Sequence, residues 1–324
     1  YQRVAFYRAL ELLNDRNYLE SVVHFDLSLK YPLNKEMEAD AKYWKADALY
    51  RTAEFTASAK AYEDFIYSLT AFNLKKFNRV NYNLGYVYYK LKNYEKAITW
   101  FRKYSSANGE VDARILNDAQ VRIADCFFYQ KNYTAAGEYY DKAVQTGLSD
   151  VDYSLFQKAL TLYVQGKFEA ELTGLNRLIR DFPDSRYADD AKYEAARVYM
   201  LLGRYDEAYS MYEGIQMNHS DSPLAASAKV QMGLIRYNQQ RDQDALKIYT
   251  EVVDAFPGSE EAKEAQLGIK KIYVDQGNVS AYQDLAQEKG LETMSRTEYD
   301  STAWEAAETS YLKGDCEKAL QSFG

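Results

Sequence analysis

The residues able to do acid–base, nucleophilic or metal chemistry are few and scattered. The chain of 324 residues holds 2 histidines, His24 and His219. His24 stands beside Phe25 in a run with helical spacing, and His219 stands in a polar stretch with Asp221. Neither has a second His, a Cys or a close carboxylate set at ligand spacing, so the pattern names no metal centre and no catalytic imidazole. Two acid pairs, Asp189–Asp190 and Glu260–Glu261, each open a helical pattern, where the helix dipole favours negative charge. The two cysteines, Cys126 and Cys316, form no disulfide framework and leave the redox compartment open. There is no Gly-rich phosphate loop, no GxSxG and no HExxH. The sequence thus points to no catalytic residue, no metal ligand and no cofactor.

Composition narrows the partners. A net charge of −8 disfavours nucleic acid, whose binding rests on clustered Lys and Arg. Acidic and basic residues are mixed along the chain, as on a solvated helical surface, and no polybasic run invites an anionic membrane. No apolar run approaches the ~18 residues of a membrane span. Only 4 Pro and 15 Gly indicate a mainly helical chain, while 32 Tyr supply side chains that pack and stay wet at once.

The organising stretch is 81–109, NYNLGYVYYKLKNYEKAITWFRKYSSANG. It predicts two amphipathic helices joined by a tight turn at Lys92–Asn93, with Tyr94 plugging the turn. Gly85 in the first helix and Ala97 in the second are small, and Phe101 is large. Copies follow along the chain. The small first-helix residue recurs as Ala9, Ala46, Gly85, Ala124, Ala159, Ala196 and Gly233, then Lys270 and Ala307. The second-helix series is Ser21, Ser58, Ala97, Ala136, Glu171, Ala208, Ala245, Tyr282 and Ala319. Four residues after each of these comes a mostly large apolar one: Phe25, Tyr62, Phe101, Tyr140, Leu175, Tyr212, Tyr249, Ala286 and Phe323. Three residues before each sits the plug: Tyr18, Phe55, Tyr94, Tyr133, Phe168 and Tyr205, then the departures Asp242, Val279 and Cys316. A hairpin of this kind buries its faces only against copies of itself.

The pattern resembles the tetratricopeptide repeat, which pairs Leu-Gly and Tyr in one helix with Ala and Phe in the next. The resemblance covers the whole chain and implies an all-α fold, a right-handed α-solenoid of about nine hairpins read as a single domain over 1–324. The units fall at 1–38, 39–77, 78–116, 117–151, 152–188, 189–225, 226–262, a degenerate 263–299 and a truncated 300–324. The pattern is cut at both ends, as in a piece of a longer protein. Glu171 in a close-packing slot predicts a shifted helix that uses Ala170 instead. Lys270 and Tyr282 predict altered stacking in the eighth unit. The stretch 68–78 predicts an extension of one helix. Pro in 181–185 (DFPDS) and 255–259 (AFPGS) stops a helix, and Ser or Asp then caps the next one. That linker style is similar to bacterial cell-envelope repeat proteins, such as the periplasmic partner of the Tol-Pal system and the lipoprotein of the outer-membrane barrel assembly machine. It implies a periplasmic or outer-membrane-associated location in a Gram-negative bacterium, with the cytoplasm as the alternative.

In this family the first helices line a concave groove. Its positions map onto Phe6, Leu10 and Leu13; Tyr43, Asp47 and Tyr50; Tyr82, Tyr86 and Tyr89; and Val121, Asp125 and Phe128. They continue through Phe156, Leu160 and Tyr163; Tyr193, Arg197 and Met200; and Val230, Leu234 and Tyr237. The resemblance implies a non-catalytic scaffold that binds a protein or peptide partner along this aromatic lane. The family's carboxylate-gripping Lys and Asn are replaced here by Tyr, Asp, Leu and Val, so capture of a peptide's terminal carboxylate is not expected. Packing between neighbouring first helices competes as an explanation for each tyrosine. Two other functions stay open at this point: glycan or cell-wall binding by the aromatic faces, and a structural spacer acting through self-assembly.

Overall fold

A computed structural model describes residues 1–106, 112–218 and 223–323, the side chains of 218 and 321–323 excepted. His219, and Asn108–Gly109, a pair that reads as a turn in the sequence, therefore lie outside the described residues. Among the described residues there are eighteen α-helices, one 3-10 turn and no strand. The helices pair as α1 (Gln2–Asn14) with α2 (Tyr18–Lys30), α3 (Lys35–Arg51) with α4 (Phe55–Ile66), and α5 (Phe77–Lys90) with α6 (Tyr94–Ser105). Then come α7 (Ala113–Tyr129) with α8 (Tyr133–Thr146), α9 (Val151–Val164) with α10 (Phe168–Asp181), and α11 (Ala188–Leu201) with α12 (Tyr205–Asn218). The last are α13 (Ala225–Asn238) with α14 (Asp242–Ala255), α15 (Glu260–Asp275) with α16 (Val279–Lys289), and α17 (Arg296–Leu312) with α18 (Cys316–Phe323). The chain divides into two compact units, Tyr1–Gly174 and Leu175–Gly324, with the boundary inside α10. Each is an all-α stack of helical hairpins, the α-solenoid class.

The phase of the stack follows from the recurring residues. Every plug position, departures included, is the first residue of a second helix. Every described member of the second-helix small series is buried, and so is each large residue from Phe25 to Ala286. In the first-helix series only Lys270 is not buried. Gly85 shows why size matters there: a Cβ on it would lie 2.5 Å from Cδ1 of the fully buried Phe101 ring. In the second unit, Tyr249 is clamped the same way between Gly233 on its own hairpin and Gly268 on the next first helix.

A fifth series emerges from the backbone. Seven residues after each small first-helix position, the chain turns through a left-handed residue: Arg16, Ala53, Lys92, Lys131, Gly166, Gly203, Gln240, Gly277 and Gly314. At Lys92 the turn is closed by Lys92 N–H to Tyr89 C=O and Asn93 N–H to Tyr88 C=O, both 2.9 Å. This is the paired bonding that satisfies the last carbonyls of a helix. Asn93, Asn132 and Asn278 then cap the following helices by accepting a backbone N–H three residues on.

Three local expectations change, and a fourth, altered stacking in the eighth hairpin, is met. Residues 67–76 do not extend a helix; they hold the 3-10 turn Ala71–Asn73, pinned by the fully buried Ala71 and by Thr70 Oγ1–H to Lys35 C=O (2.9 Å). Glu171 is itself fully buried in the close-packing slot while Ala170 is exposed, so α10 keeps the register of the series. In the eighth hairpin Tyr282 is accommodated by burial at 2% exposure, its hydroxyl donating to Glu292 C=O and accepting from Gln266. Lys270 leaves the packed slot and pairs with Glu298. Of the two linkers, only the second caps as expected: Ser259 Oγ accepts from Ala262 N–H, whereas α11 starts after Tyr187 with no side-chain cap. The acid pairs do lie in the first turns of α11 and α15.

Candidate partner-binding face

In the first unit, the groove positions of the second and third hairpins meet at one place. Asp47 and Tyr50 from α3, Tyr62 from α4, and Tyr82, Asn83 and Tyr86 from α5 line an open pocket of about 210 Å³. Hairpin stacking sets the α3 residues beside those of α5. Tyr43 is buried at 7% exposure and stands behind the pocket, where its hydroxyl accepts from Asn83 Nδ2 (3.0 Å). Asn83 Nδ2 also donates to the Tyr62 hydroxyl (3.1 Å), so one amide ties α3, α4 and α5 together. Asp47 is held by Arg51 Nε at 2.7 Å.

A polar network continues from the tyrosines into the next repeats. The hydroxyls of Tyr82 and Tyr86 both donate to Asp118 Oδ2, at 2.8 and 2.6 Å. Arg122 reaches Asp118 and Asp125, and Asp125 Oδ1 accepts from Tyr140 (2.7 Å) and Tyr153 (2.8 Å). Asp125 is only 2% exposed, so this groove position supports the wall from behind and offers no carboxylate to solvent. Its burial raises the carboxyl pKa, against the pull of Arg122 and the two phenols. Burial works against the Arg122 charge, but Asp125, Tyr86 and Asp118 outweigh it and hold the guanidinium protonated. Burial, then the Asp118 charge, pushes the Tyr82 and Tyr86 phenols well above their ordinary range. Both rings are fixed as neutral donors to one carboxylate.

The third groove position of each hairpin leans on that hairpin's own plug. Tyr50 meets Phe55 (ring centroids 5.5 Å), Tyr89 meets Tyr94 (6.1 Å), Phe128 meets Tyr133 (5.5 Å) and Tyr163 meets Phe168 (5.9 Å). These side chains and Phe156 are half-buried, with one face packed and part of the ring open. In the second unit, Tyr193 packs edge-on against Tyr212 at 5.2 Å and Arg197 is exposed and paired with Glu194. Tyr237 donates to Asp275 and carries Lys271 over its ring. Here the lane is crossed by ion pairs and is more polar.

Asp118, Arg122, Asn83 and Tyr153 escaped the sequence reading. The first two had a signal: with Asp125 they occupy 118, 122 and 125, one charged stripe on a helix otherwise apolar on that side. Elsewhere the molecule offers little chemistry. His24 is half-buried in α2, Cys126 is buried and Cys316 exposed, both as free thiols. Among the described residues no group of three His, Cys, Asp or Glu could hold a metal ion. No described helix is long and apolar enough to cross a membrane.

Comparison with known proteins agrees with this architecture. Family models described as tetratricopeptide repeat match residues 79–110, 118–146, 153–185 and 193–260, together half of the chain. No curated protein matches the chain in sequence. Among solved structures, the C-terminal part of a repeat-containing protein from Cytophaga hutchinsonii is similar at TM-score 0.65 and 15% identity, over 80% of this chain and 98% of that one. The apo form of RapI is similar at TM-score 0.56 and 12% identity, over 99% and 95%. A repeat protein from Parabacteroides merdae gives 0.52 and 14%, over 84% and 98%. The chain belongs to the tetratricopeptide repeat proteins. Such repeats are protein–protein interaction scaffolds and typically non-catalytic.

Proposed function

We propose that the first-helix face of α3, α5 and α7 binds a segment of a partner protein, in extended or helical form, and that the chain acts as a scaffold without chemistry of its own. The observation that carries this reading is the convergence of Asp47, Tyr50, Tyr82 and Tyr86 on one open pocket. Rings already locked in place lose little side-chain entropy on binding and offer large contact area. Sugar binding is the weaker reading: hydroxyl-rich ligands need donors, and the phenolic protons of Tyr82 and Tyr86 are spent on Asp118.

The test uses Tyr50→Ala and Tyr89→Ala, because Tyr82 and Tyr86 also support the fold through Asp118 and Phe101. A peptide-display selection against the intact protein supplies ligands. A double variant with unchanged helical ellipticity and at least tenfold weaker binding of those ligands supports the face. Unchanged binding removes it.

A further inference from the structure

We infer that the pocket between α3 and α5 takes a cationic side chain, lysine or arginine, presented by the partner segment. The inference rests on the reading of this face as a binding surface and adds the chemistry of what enters it. The donors of the α5 wall are spent. The hydroxyl protons of Tyr82 and Tyr86 point to Asp118, and both amide protons of Asn83 are used by Tyr43 and Tyr62. What these groups turn to an incoming ligand is ring surface, phenolic lone pairs and the Asn83 carbonyl oxygen.

The remaining wall is a carboxylate. Asp47 is engaged through Oδ2 by Arg51, which fixes its orientation and leaves Oδ1. No cationic residue lines the pocket; the two nearby, Arg51 on Asp47 Oδ2 and Arg79 at 4.7 Å over the Tyr82 ring, are not among its walls. An anion would meet the Asp47 carboxylate with only the Tyr50 and Tyr62 hydroxyls to receive it, whereas a cation meets that carboxylate, the remaining lone pairs and the negative faces of aromatic rings. The ring set of Tyr50, Tyr62, Tyr82 and Tyr86 is held by neighbours: Tyr82 and Tyr86 lie 5.0 Å apart edge to face, and Tyr50 rests on Phe55. A volume of about 210 Å³ equals roughly seven waters at ~30 Å³ each. That accommodates one long side chain and not a folded element.

The experiment follows the tyrosine ring resonances of the whole protein during titration with N-acetyl-lysine methylamide, N-acetyl-arginine methylamide and the neutral N-acetyl-norleucine methylamide. The expected result is saturable shifts at Tyr50, Tyr82 and Tyr86 with the lysine or the arginine probe, at least about tenfold weaker binding of norleucine, and a similar loss in Asp47→Asn. Comparison of the two cationic arms tells ammonium from guanidinium. Equal binding of norleucine and the charged probes, or an unaltered response in Asp47→Asn with native ellipticity, overturns the inference. A display-selected peptide that keeps its affinity when its basic residues become norleucine also overturns it, while leaving the binding face itself standing.

Discussion

Raising the pH above about 10 should unfold this protein cooperatively, because its core tyrosines cannot ionise in place. Tyr62 and Tyr140 in the first unit, and Tyr212 and Tyr249 in the second, are between 1% and 4% exposed. Burial is the main cause lifting each phenol above its ordinary range, reinforced at Tyr140 by the Asp125 charge and opposed at Tyr62 by the Asn83 hydrogen bond. In the unfolded chain these groups titrate near 10. Below that pH both states keep the proton and the stabilisation is whole. Above it the unfolded chain releases protons that the folded chain still holds, so stability falls until the folded phenols ionise. Each such tyrosine contributes a slope of about 1.4 kcal/mol per pH unit. Two in each unit give about 2.7 kcal/mol per pH unit, or roughly 5 kcal/mol between pH 10 and 12, comparable with the whole stability of many domains. Phenolate absorbance and helical ellipticity recorded on one titration are the assay. The buried class should ionise only as ellipticity collapses, in one shared transition. Phenolate absorbance that reaches the full tyrosine content near pH 10 with native ellipticity would refute the assignment of these rings to closed cores.

Gly85→Ala should cost about 1–3 kcal/mol in urea denaturation, because Phe101 has no room to retreat; Gly174→Ala, with open space around it in a helix, should gain about 0.5–1 kcal/mol. Lys92→Gly should stabilise by about 1 kcal/mol by relieving the left-handed turn, and Gly166→Ala at the equivalent turn should cost a similar amount. Asp125→Ala should cost about 2–4 kcal/mol, since it leaves Arg122 with Asp118 alone and removes the acceptor of Tyr140 and Tyr153. A thiol reagent should label Cys316 at once and Cys126 only on unfolding, because Cys126 is buried with its pKa pushed up to about 12, mainly by that burial; prompt labelling of both thiols would count against the packing of α7.

The stack was legible because its signal is periodic. Size at the small, large and plug positions is a steric requirement of each hairpin, so residue type alone reports it. The turn conformation was less visible: Gly166 and Gly203 announce a left-handed residue, while Arg16, Ala53 and Lys131 adopt it without a sequence mark. Glu171 misled for the opposite reason, since a carboxylate in a packed slot contradicts the type rule and yet stays in register. The candidate site was half legible. Ring positions followed from the repeat, but their polar partners depend on contacts between repeats: Asn83 and Tyr153 left no mark in the spacing, and Asp118 only its place in a charged stripe.

The three groove positions carry unequal information, and the repeat explains why. The position four residues after the small residue is locked on the hairpin's own plug, so Tyr50, Tyr89, Phe128 and Tyr163 are all aromatic and held alike. The position one residue after it has no such common neighbour and varies in chemistry: Asp47, Tyr86, Asp125, Leu160, Arg197 and Leu234. If this face binds as proposed, partner discrimination rests on the members of that second set that reach the pocket, Asp47 and Tyr86, and not on the buried Asp125. The pairing of Asp47 and Tyr86 in one pocket would then decide whether it accepts charge. Asp47→Asn alone would then change what the pocket accepts, without touching the residues that set the phase of the stack.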